Sequence, residues 1–340
     1  MSIPNRTIKY LSPTGISAFR ADPEKFYSWY LSGNRTAKDP QTQAMAIGSA
    51  FDAYAKSHIH ERLFGAGNDP KYSFQALFES QVESQWRDWA KLHGFYVFDK
   101  YKDSGALADL MLDLQQAVNV PKFEIEIYGT VQNVREGRTL DTGHDDVTFL
   151  GKPDVFFINK HGAHIIIDWK VNGYVSAQAK SPMPGYVRLR LDNNKTGSHP
   201  GAKLKVHSGV LINVSSYLEE LSTDWATQLT VYAWLLGCGV GGDFIAGIDQ
   251  ICCAPTACQF PELRVAEHRL KVREQFQFDV FKLAQDIWRR AHSGHFFTEM
   301  PLAESQARCQ ILDDQALILA TSQPDELFLE MTAPRNIWRR

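Results

Sequence analysis

The stretch Gly151-Lys152-Pro153-Asp154-Val155-Phe156-Phe157-Ile158-Asn159-Lys160-His161-Gly162-Ala163-His164-Ile165-Ile166-Ile167-Asp168-Trp169-Lys170 decides how this chain is read. The β-branched run Ile165-Ile166-Ile167 predicts a buried strand that ends in Asp168-Trp169-Lys170. A strand has a side-chain period of two, so Asp168 and Lys170 point to the same face. Between the two apolar runs, Asn159-Lys160-His161-Gly162 reads as a tight turn, with a glycine available for positive φ. A loop at Lys160-His161-Gly162 makes Asp154 and Asp168 direct cross-strand neighbours, with Cβ atoms roughly 5 Å apart. A slip of one residue would part them.

Two carboxylates held side by side repel, and without a counter-charge one of them takes up a proton. A divalent cation removes the conflict. Hard oxygen ligands with room for water and a substrate phosphate suit Mg²⁺ or Mn²⁺. Such an ion lowers the pKa of bound water and polarises a phosphoryl oxygen. Lys170, on the same face, is placed to orient the attacking water or to stabilise charge on the scissile phosphate. The plain alternative is a surface hairpin that carries Asp, Asp and Lys by chance. The apolar flanks Val155-Phe156-Phe157 and Ile165-Ile166-Ile167 argue instead for a hairpin buried on both faces, where acids need a reason.

Outside this stretch the chain has ordinary globular composition. It has 340 residues, 44% hydrophobic and 22% charged, which fits one large or two ordinary domains. A net charge of −3 excludes a globally basic coat for nucleic acid but leaves room for a local basic groove. No secretory leader is apparent, and the longest apolar run, 231–240, is too short to span a bilayer; the expectation is a cytoplasmic protein with no membrane partner. The five cysteines, Cys238, Cys252, Cys253, Cys258 and Cys309, are odd in number and irregularly spaced, so buried reduced thiols are expected rather than a disulfide framework.

The first 120 residues read as mostly helical. Ser12-Pro13 and Asp22-Pro23 are helix starts, and further helices are expected over 43–62, 74–92 and 106–118. Strands follow at 123–128, 148–158 and 163–171, then a polar insertion over 176–209. Beyond it the pattern predicts a strand (206–214), a helix (223–236), strands (244–253 and 263–271) and an amphipathic helix (273–292). The expected class is α/β, a mixed β-sheet flanked by helices with an N-terminal helical region. The expected organisation is a helical region over 1–120, a core over 121–299, and an extension over 300–340.

At this point the residues resemble the PD-(D/E)xK nuclease superfamily, and more closely its RecB-like branch, which takes in the Cas4-like proteins and phage exonucleases. The signature of a Pro-Asp followed by an acid-x-Lys appears as Pro153-Asp154 and Asp168-Trp169-Lys170. Three more segments match in order. Leu11-Ser12-Pro13-Thr14-Gly15-Ile16-Ser17-Ala18-Phe19 with Asp22-Pro23-Glu24-Lys25-Phe26-Tyr27 is similar to the opening helix pair. Ile47-Gly48-Ser49-Ala50-Phe51-Asp52 is similar to the Gly-x-x-x-His helix. Gln228-Leu229-Thr230-Val231-Tyr232 matches the Gln-x-x-x-Tyr motif. The resemblance implies a restriction-endonuclease-like fold and a catalytic core of this type over 121–299.

It also implies site residues. Asp154 and Asp168 would bind the metal, and Asp52 stands where the branch has a histidine ligand; an aspartate there is a harder ligand for the same ion. Glu126 is a rival third ligand. Gln228 and Tyr232, at i and i+4 on one helix face, would lie at the active site, with Tyr232 alternatively a core residue. Many relatives hold an iron–sulfur cluster, but Asp22 stands at the first cysteine position and only Cys309 lies in the tail, so no cluster is expected.

The insertion over 176–209 carries Lys180, Arg188, Arg190, Lys195, Lys203 and Lys205 against the single acid Asp192, with Tyr186 among them. Basic side chains beside an acidic metal site suit a phosphate backbone, and Tyr186 could stack on a base; a solvated loop is the alternative. The reading that results is a metal-dependent deoxyribonuclease, an exonuclease serving recombination, repair or phage DNA metabolism. DNA is its partner, alongside a helicase, recombinase or single-strand-annealing protein. The alternatives are a catalytically inactive DNA-binding or assembly module of the same fold, and an RNA-directed or structure-specific endonuclease.

Overall fold

The turn at 159–162 forms as its residues require. Asn159 accepts hydrogen bonds on its side-chain Oδ1 from the backbone N–H groups of His161 (2.9 Å) and Ala163 (3.0 Å). Gly162 takes the left-handed conformation, φ 81°, which a residue with a Cβ adopts only at a cost. In the computed structural model this turn sets the register that the sequence predicts: Val155 pairs with Ile167, Phe156 with Ile166, Phe157 with Ile165 and Ile158 with His164. The structure describes residues 7–34, 40–124, 126–131, 134–135, 138–139, 146–183, 186–188, 217–257 and 260–321.

The described elements are helices α1 (Pro13–Ala21), α2 (Pro23–Phe26), α3 (Gln43–Phe64), α4 (Phe74–Gln81), α5 (Arg87–Asp103), α6 (Ala106–Gln115), α7 (Thr223–Leu235), α8 (Glu274–Ser293) and α9 (Leu302–Thr321). The strands are β1 (Lys122–Phe123), β2 (Ile127–Val131), β3 (Val134–Arg135), β4 (Arg138–Thr139), β5 (Val147–Gly151), β6 (Val155–Ile158), β7 (His164–Asn172), β8 (Tyr186–Arg188), β9 (Ile245–Ala254) and β10 (Glu262–Leu270). The chain divides into two compact units, Pro40–Phe281 and Met1–Asp39 with Lys282–Arg340.

The larger unit is an α/β layer structure. Its main sheet has the order β1-β6-β7-β9-β10-β8, mixed because β7 and β9 run parallel while the other neighbours are antiparallel. Alternation along β7 separates two cores. Ile165, Ile167 and Trp169 pack with Phe51 of α3 and Val97 and Tyr101 of α5; Ile166 packs with Leu229, Tyr232 and Ala233 of α7. Fully burying each such aliphatic chain contributes about 1.5–3 kcal/mol.

Three expectations need correction. The strand expected over 148–158 is two strands in different sheets: β5 pairs with β2, and β6 with β1 and β7. Lys152-Pro153-Asp154 separates them, because proline cannot donate to a ladder and restricts the residue before it. The helix expected over 74–92 stops at Gln81. There Gln41 takes over the hydrogen bonding, accepting from the Glu83 N–H (3.0 Å) and donating to the Gln81 carbonyl (2.9 Å). A new helix, α5, then runs to Asp103, past the expected end. The strand expected over 123–128 is interrupted between β1 and β2, where Glu124 has φ 49°. The strand expected over 206–214 lies outside the described residues.

In the smaller unit Ser12 caps α1, accepting from the Gly15 N–H (3.2 Å), and Asp22 caps α2, accepting from Glu24 and Lys25. Phe19, Phe26 and Tyr27 surround Phe296, with ring centroids 5.4–6.0 Å apart. Helix α9, not foreseen in the extension, brings Arg308 to Glu24 at 2.5 Å and Asp313 to the Tyr27 hydroxyl at 3.2 Å. Cys252, Cys253 and Cys309 are buried free thiols and Cys238 is half-buried; Cys258 lies outside the described residues. Among the described residues no helix is long and apolar enough to cross a membrane.

Behind Trp169 the sheet holds an ion pair between a buried acid and a partly exposed arginine. Asp249, fully buried, lies 2.7 Å from Arg269 and accepts from the Tyr101 hydroxyl at 2.5 Å; that hydroxyl in turn accepts from Trp169 Nε1 at 3.3 Å. Replacing one partner strands the other charge. Arg269→Met is expected to lower stability by about 3 kcal/mol or more in urea unfolding. Asp249→Asn in the same background should recover part of the loss, and no recovery would show that the arginine acts through packing alone.

Candidate active site

Asp154 is the last residue before β6, and its position at the end of the strand lets both layers reach it. Its Oδ2 accepts the Trp169 backbone N–H at 3.2 Å, and its Oδ1 accepts the Lys56 ammonium at 2.9 Å. Asp168, on the face of β7 turned toward α7, lies beside it. Asp168 Oδ1 accepts from Gln228 Nε2 at 2.8 Å, and Oδ2 is 2.5 Å from Lys170 Nζ. Lys170 also donates to Gln228 Oε1 at 2.9 Å. The Gln228 amide thus bridges the acid and the lysine, and its Nε2 is 3.1 Å from the Tyr232 hydroxyl. The structure therefore brings together Asp154, Asp168, Lys170, Gln228 and Tyr232.

Tyr232 belongs to both of its sequence readings. Its ring packs in the core of the α7 face while its hydroxyl reaches the site. The ring fixes its neighbour in the motif as well: a Cβ on Gly151 would meet Tyr232 Cδ1 and Leu235 Cδ1 at 2.7 Å, so β5 can lie against α7 only with glycine there.

Helix α3 brings Asp52, which is 15% exposed, and one turn further on Lys56, which is 2% exposed. Lys56 Nζ lies 2.6 Å from Asp52, 2.9 Å from Asp154 and 3.9 Å from Glu124. Glu124 is buried, accepts from Gln81 Nε2 at 2.9 Å and contacts Lys152 Nζ. Glu126, the expected rival, is exposed. Lys56 and Glu124 were missed in the sequence, and only Lys56 left a signal. Gly48, Asp52 and Lys56 recur every four residues on one helix face, so an ammonium one turn beyond the acid was readable. Glu124 was hidden because its left-handed backbone breaks the strand period that would have been used to place it.

The charges explain the titration. Burial pushes Asp168 up to about 7; Lys170 opposes the rise and Asp154 adds to it. Burial likewise pushes Asp52 up to about 7, against the pull of Lys56. Burial would raise Asp154 too, but Lys56, Lys170 and the Trp169 N–H outweigh it and hold that carboxyl below its ordinary value. Burial disfavours the charged form of Lys56, yet Asp154, Asp52 and Glu124 keep the ammonium well above its usual range.

The donor set suits a hard divalent cation. All the acids present oxygen, and Asp52 Oδ1 is buried with no hydrogen-bond partner. Among the described residues no three His, Cys, Asp or Glu side chains form a ready-made metal-holding group; Asp52, Glu124 and Asp154 face the Lys56 ammonium instead.

Of the expected DNA contacts, Lys180 is exposed next to β9, its N–H bonded to the Cys253 carbonyl at 3.0 Å. Tyr186 and Arg188 lie on β8, paired with Glu267 and Val265 of β10. Arg190, Lys195, Lys203 and Lys205 lie outside the described residues.

A family model of the PD-(D/E)XK nuclease superfamily matches residues 10–311. The chain belongs to that superfamily, whose nucleases typically use divalent metal ions. No curated protein matches the chain. A solved structure described as "Crystal structure of SSO0001" is similar at 12% identity over 70% of this chain and 72% of that one, with a TM-score of 0.23. So distant a likeness has no bearing on the site.

The raised carboxyls set a pH dependence. Folded Asp52 and Asp168 keep their protons to about pH 7, whereas unfolded they release them near 3.8. The folded chain therefore binds more protons across that window, and this contribution to stability falls as pH rises from about 4 to 7. Half-buried His58 and buried His60, His93 and His268 have lowered pKa values and act in the opposite sense. The effect is therefore read as a difference. In EDTA, the stability of wild type minus that of Asp168→Asn should fall between pH 5 and pH 8 in urea titrations. A difference that stays flat would show that Asp168 is ionised throughout that range in the folded chain.

Proposed function

We propose that the chain is a Mg²⁺- or Mn²⁺-dependent deoxyribonuclease of the RecB-like branch, acting as an exonuclease on DNA ends in recombination, repair or phage DNA metabolism. The observation that carries this reading is the side-by-side placement of Asp154 and Asp168 with Lys170 on the same strand face. Asp154 and Asp168 would hold the ion, and Asp52 offers its unpartnered Oδ1 as a further oxygen. When bound, the ion supplies Lewis-acid polarisation of a phosphoryl oxygen and lowers the pKa of water. Lys170 is positioned to stabilise charge on the phosphate, and Gln228 fixes that ammonium and the Asp168 carboxylate relative to each other. Tyr232 holds Gln228 from behind.

The preference for ends over internal sequences rests on the branch resemblance and on the lack of any visible base-reading motif in the sequence. The basic insertion, led by the exposed Lys180, supports contact with a phosphate backbone. A helicase, recombinase or single-strand-annealing protein is the partner that such an activity would serve. The second reading is a DNA-binding or assembly module of the same fold without turnover. The engagement of both Asp52 and Asp154 by Lys56 favours it.

End-labelled linear, nicked and closed-circular DNA incubated with the protein, with Mg²⁺, Mn²⁺ or EDTA, separates these readings. Metal-dependent loss of linear DNA, with the closed circle resistant, is expected. Asp168→Ala and Lys170→Ala should each reduce the rate by about 10²-fold or more while remaining folded. DNA binding without cleavage under every metal condition would favour the module, and faster loss of an RNA substrate would redirect the assignment.

A further inference from the structure

We propose that the Lys56 ammonium is a resident cation occupying one of two cation positions in this acid cluster, so that the chain takes a single divalent ion, at Asp154 and Asp168. The inference rests on the metal-dependent reading of the same site. An ordinary i,i+4 pair on a helix is exposed and contributes little. Here the lysine side chain is 2% exposed, and its partners include Asp154, 98 residues further along the chain.

Sterically, the position is taken. Two-ion sites place their metals about 3.5–4 Å apart on a shared carboxylate. Asp154 is the carboxylate that could be shared, and its Oδ1 is already engaged by Lys56 at 2.9 Å, while the same ammonium lies 2.6 Å from Asp52. A second ion bridging Asp52 and Asp154 would need oxygen ligands at about 2.0–2.1 Å for Mg²⁺ and would collide with Nζ. Glu124, at 3.9 Å, closes a third side of the same space.

Electrostatically, one ion suffices. Lys152, at the rim, pairs with Glu124. Asp52, Asp154 and Asp168 then carry three negative charges against the two positive charges of Lys56 and Lys170, and one divalent ion leaves a surplus of a single positive charge for an incoming phosphate to offset. A second divalent ion in addition to Lys56 would raise that surplus to three in a buried setting, which is costly. The lysine is thus a positioning residue. It acts through Asp52 and Asp154 and cannot be chelated away.

Metal counting on the full chain tests this. Protein stripped with EDTA and dialysed is titrated with Mn²⁺ at pH 8, with bound ions counted by calorimetry and by loss of the free-ion paramagnetic signal. Wild type should bind one ion, and Asp168→Asn should lose it. Lys56→Met, which keeps the length and removes the charge, should bind two. Lys56→Gln serves if the methionine variant does not fold. Two ions in wild type, or none, would overturn the inference whatever the variants do, and so would one ion in a folded Lys56 variant. DNA cleavage measured on the same samples keeps the two readings apart. One bound ion without cleavage supports the cation assignment and counts against the nuclease, whereas two ions with cleavage do the reverse.

Discussion

The Asp154 carboxylate is held from two directions, and the rest of the site is built around that. One oxygen accepts a backbone N–H of β7 and the other accepts an ammonium from α3. Both contacts are made by a residue that lies just before the β6 ladder, in register with Asp168. Pro153 ends the run of β5 and delays the start of β6, so Asp154 stands at the lip of the sheet between the two layers. The proline of the motif is therefore a positioning device for the aspartate that follows it.

The hairpin was legible because its information is local. Asn159 and Gly162 specify the turn, and the turn specifies the pairing of Val155 with Ile167. Gln228 and Tyr232 were legible because a helix period fixes their shared face. What escaped was tertiary. The break after Gln81 depends on Gln41, forty residues earlier, whose side chain replaces helical hydrogen bonds. Glu124 escaped because its positive φ interrupts the expected strand; residues 124 and 126 share a face by alternation, so the strand period alone does not choose between them. Lys56 was read simply as part of a helix, although a lysine on a helix otherwise lined there by Ala53, Ala55 and Ile59 needs an acid from elsewhere in the fold.

The buried acids differ although their chemistry is the same. Asp154 has an ammonium and an N–H directed at it and stays ionised; Asp52 and Asp168 are buried as deeply but share their lysines with other acids, and their pKa values rise to about 7. One ammonium cannot fully compensate three carboxylates. The deficit is a site whose acids hold protons to about pH 7; a cation bound there would displace them, so binding would be linked to proton release near neutrality.

Gln228 shows why a neutral residue belongs at the centre of so many charges. Its Nε2 donates to Asp168 and its Oε1 accepts from Lys170, so the acid and the ammonium together dictate which way the amide points. A glutamate in its place would satisfy Lys170 but repel Asp168, and a lysine would do the reverse. The amide satisfies both and adds no net charge, leaving the imbalance of the cluster available to whatever binds there. The 3.1 Å contact to the Tyr232 hydroxyl ties that orientation to the core of α7. The geometry of the acid pair is thereby linked to the packing of the whole helix, and Gly151, pressed against the same ring, extends that link to β5.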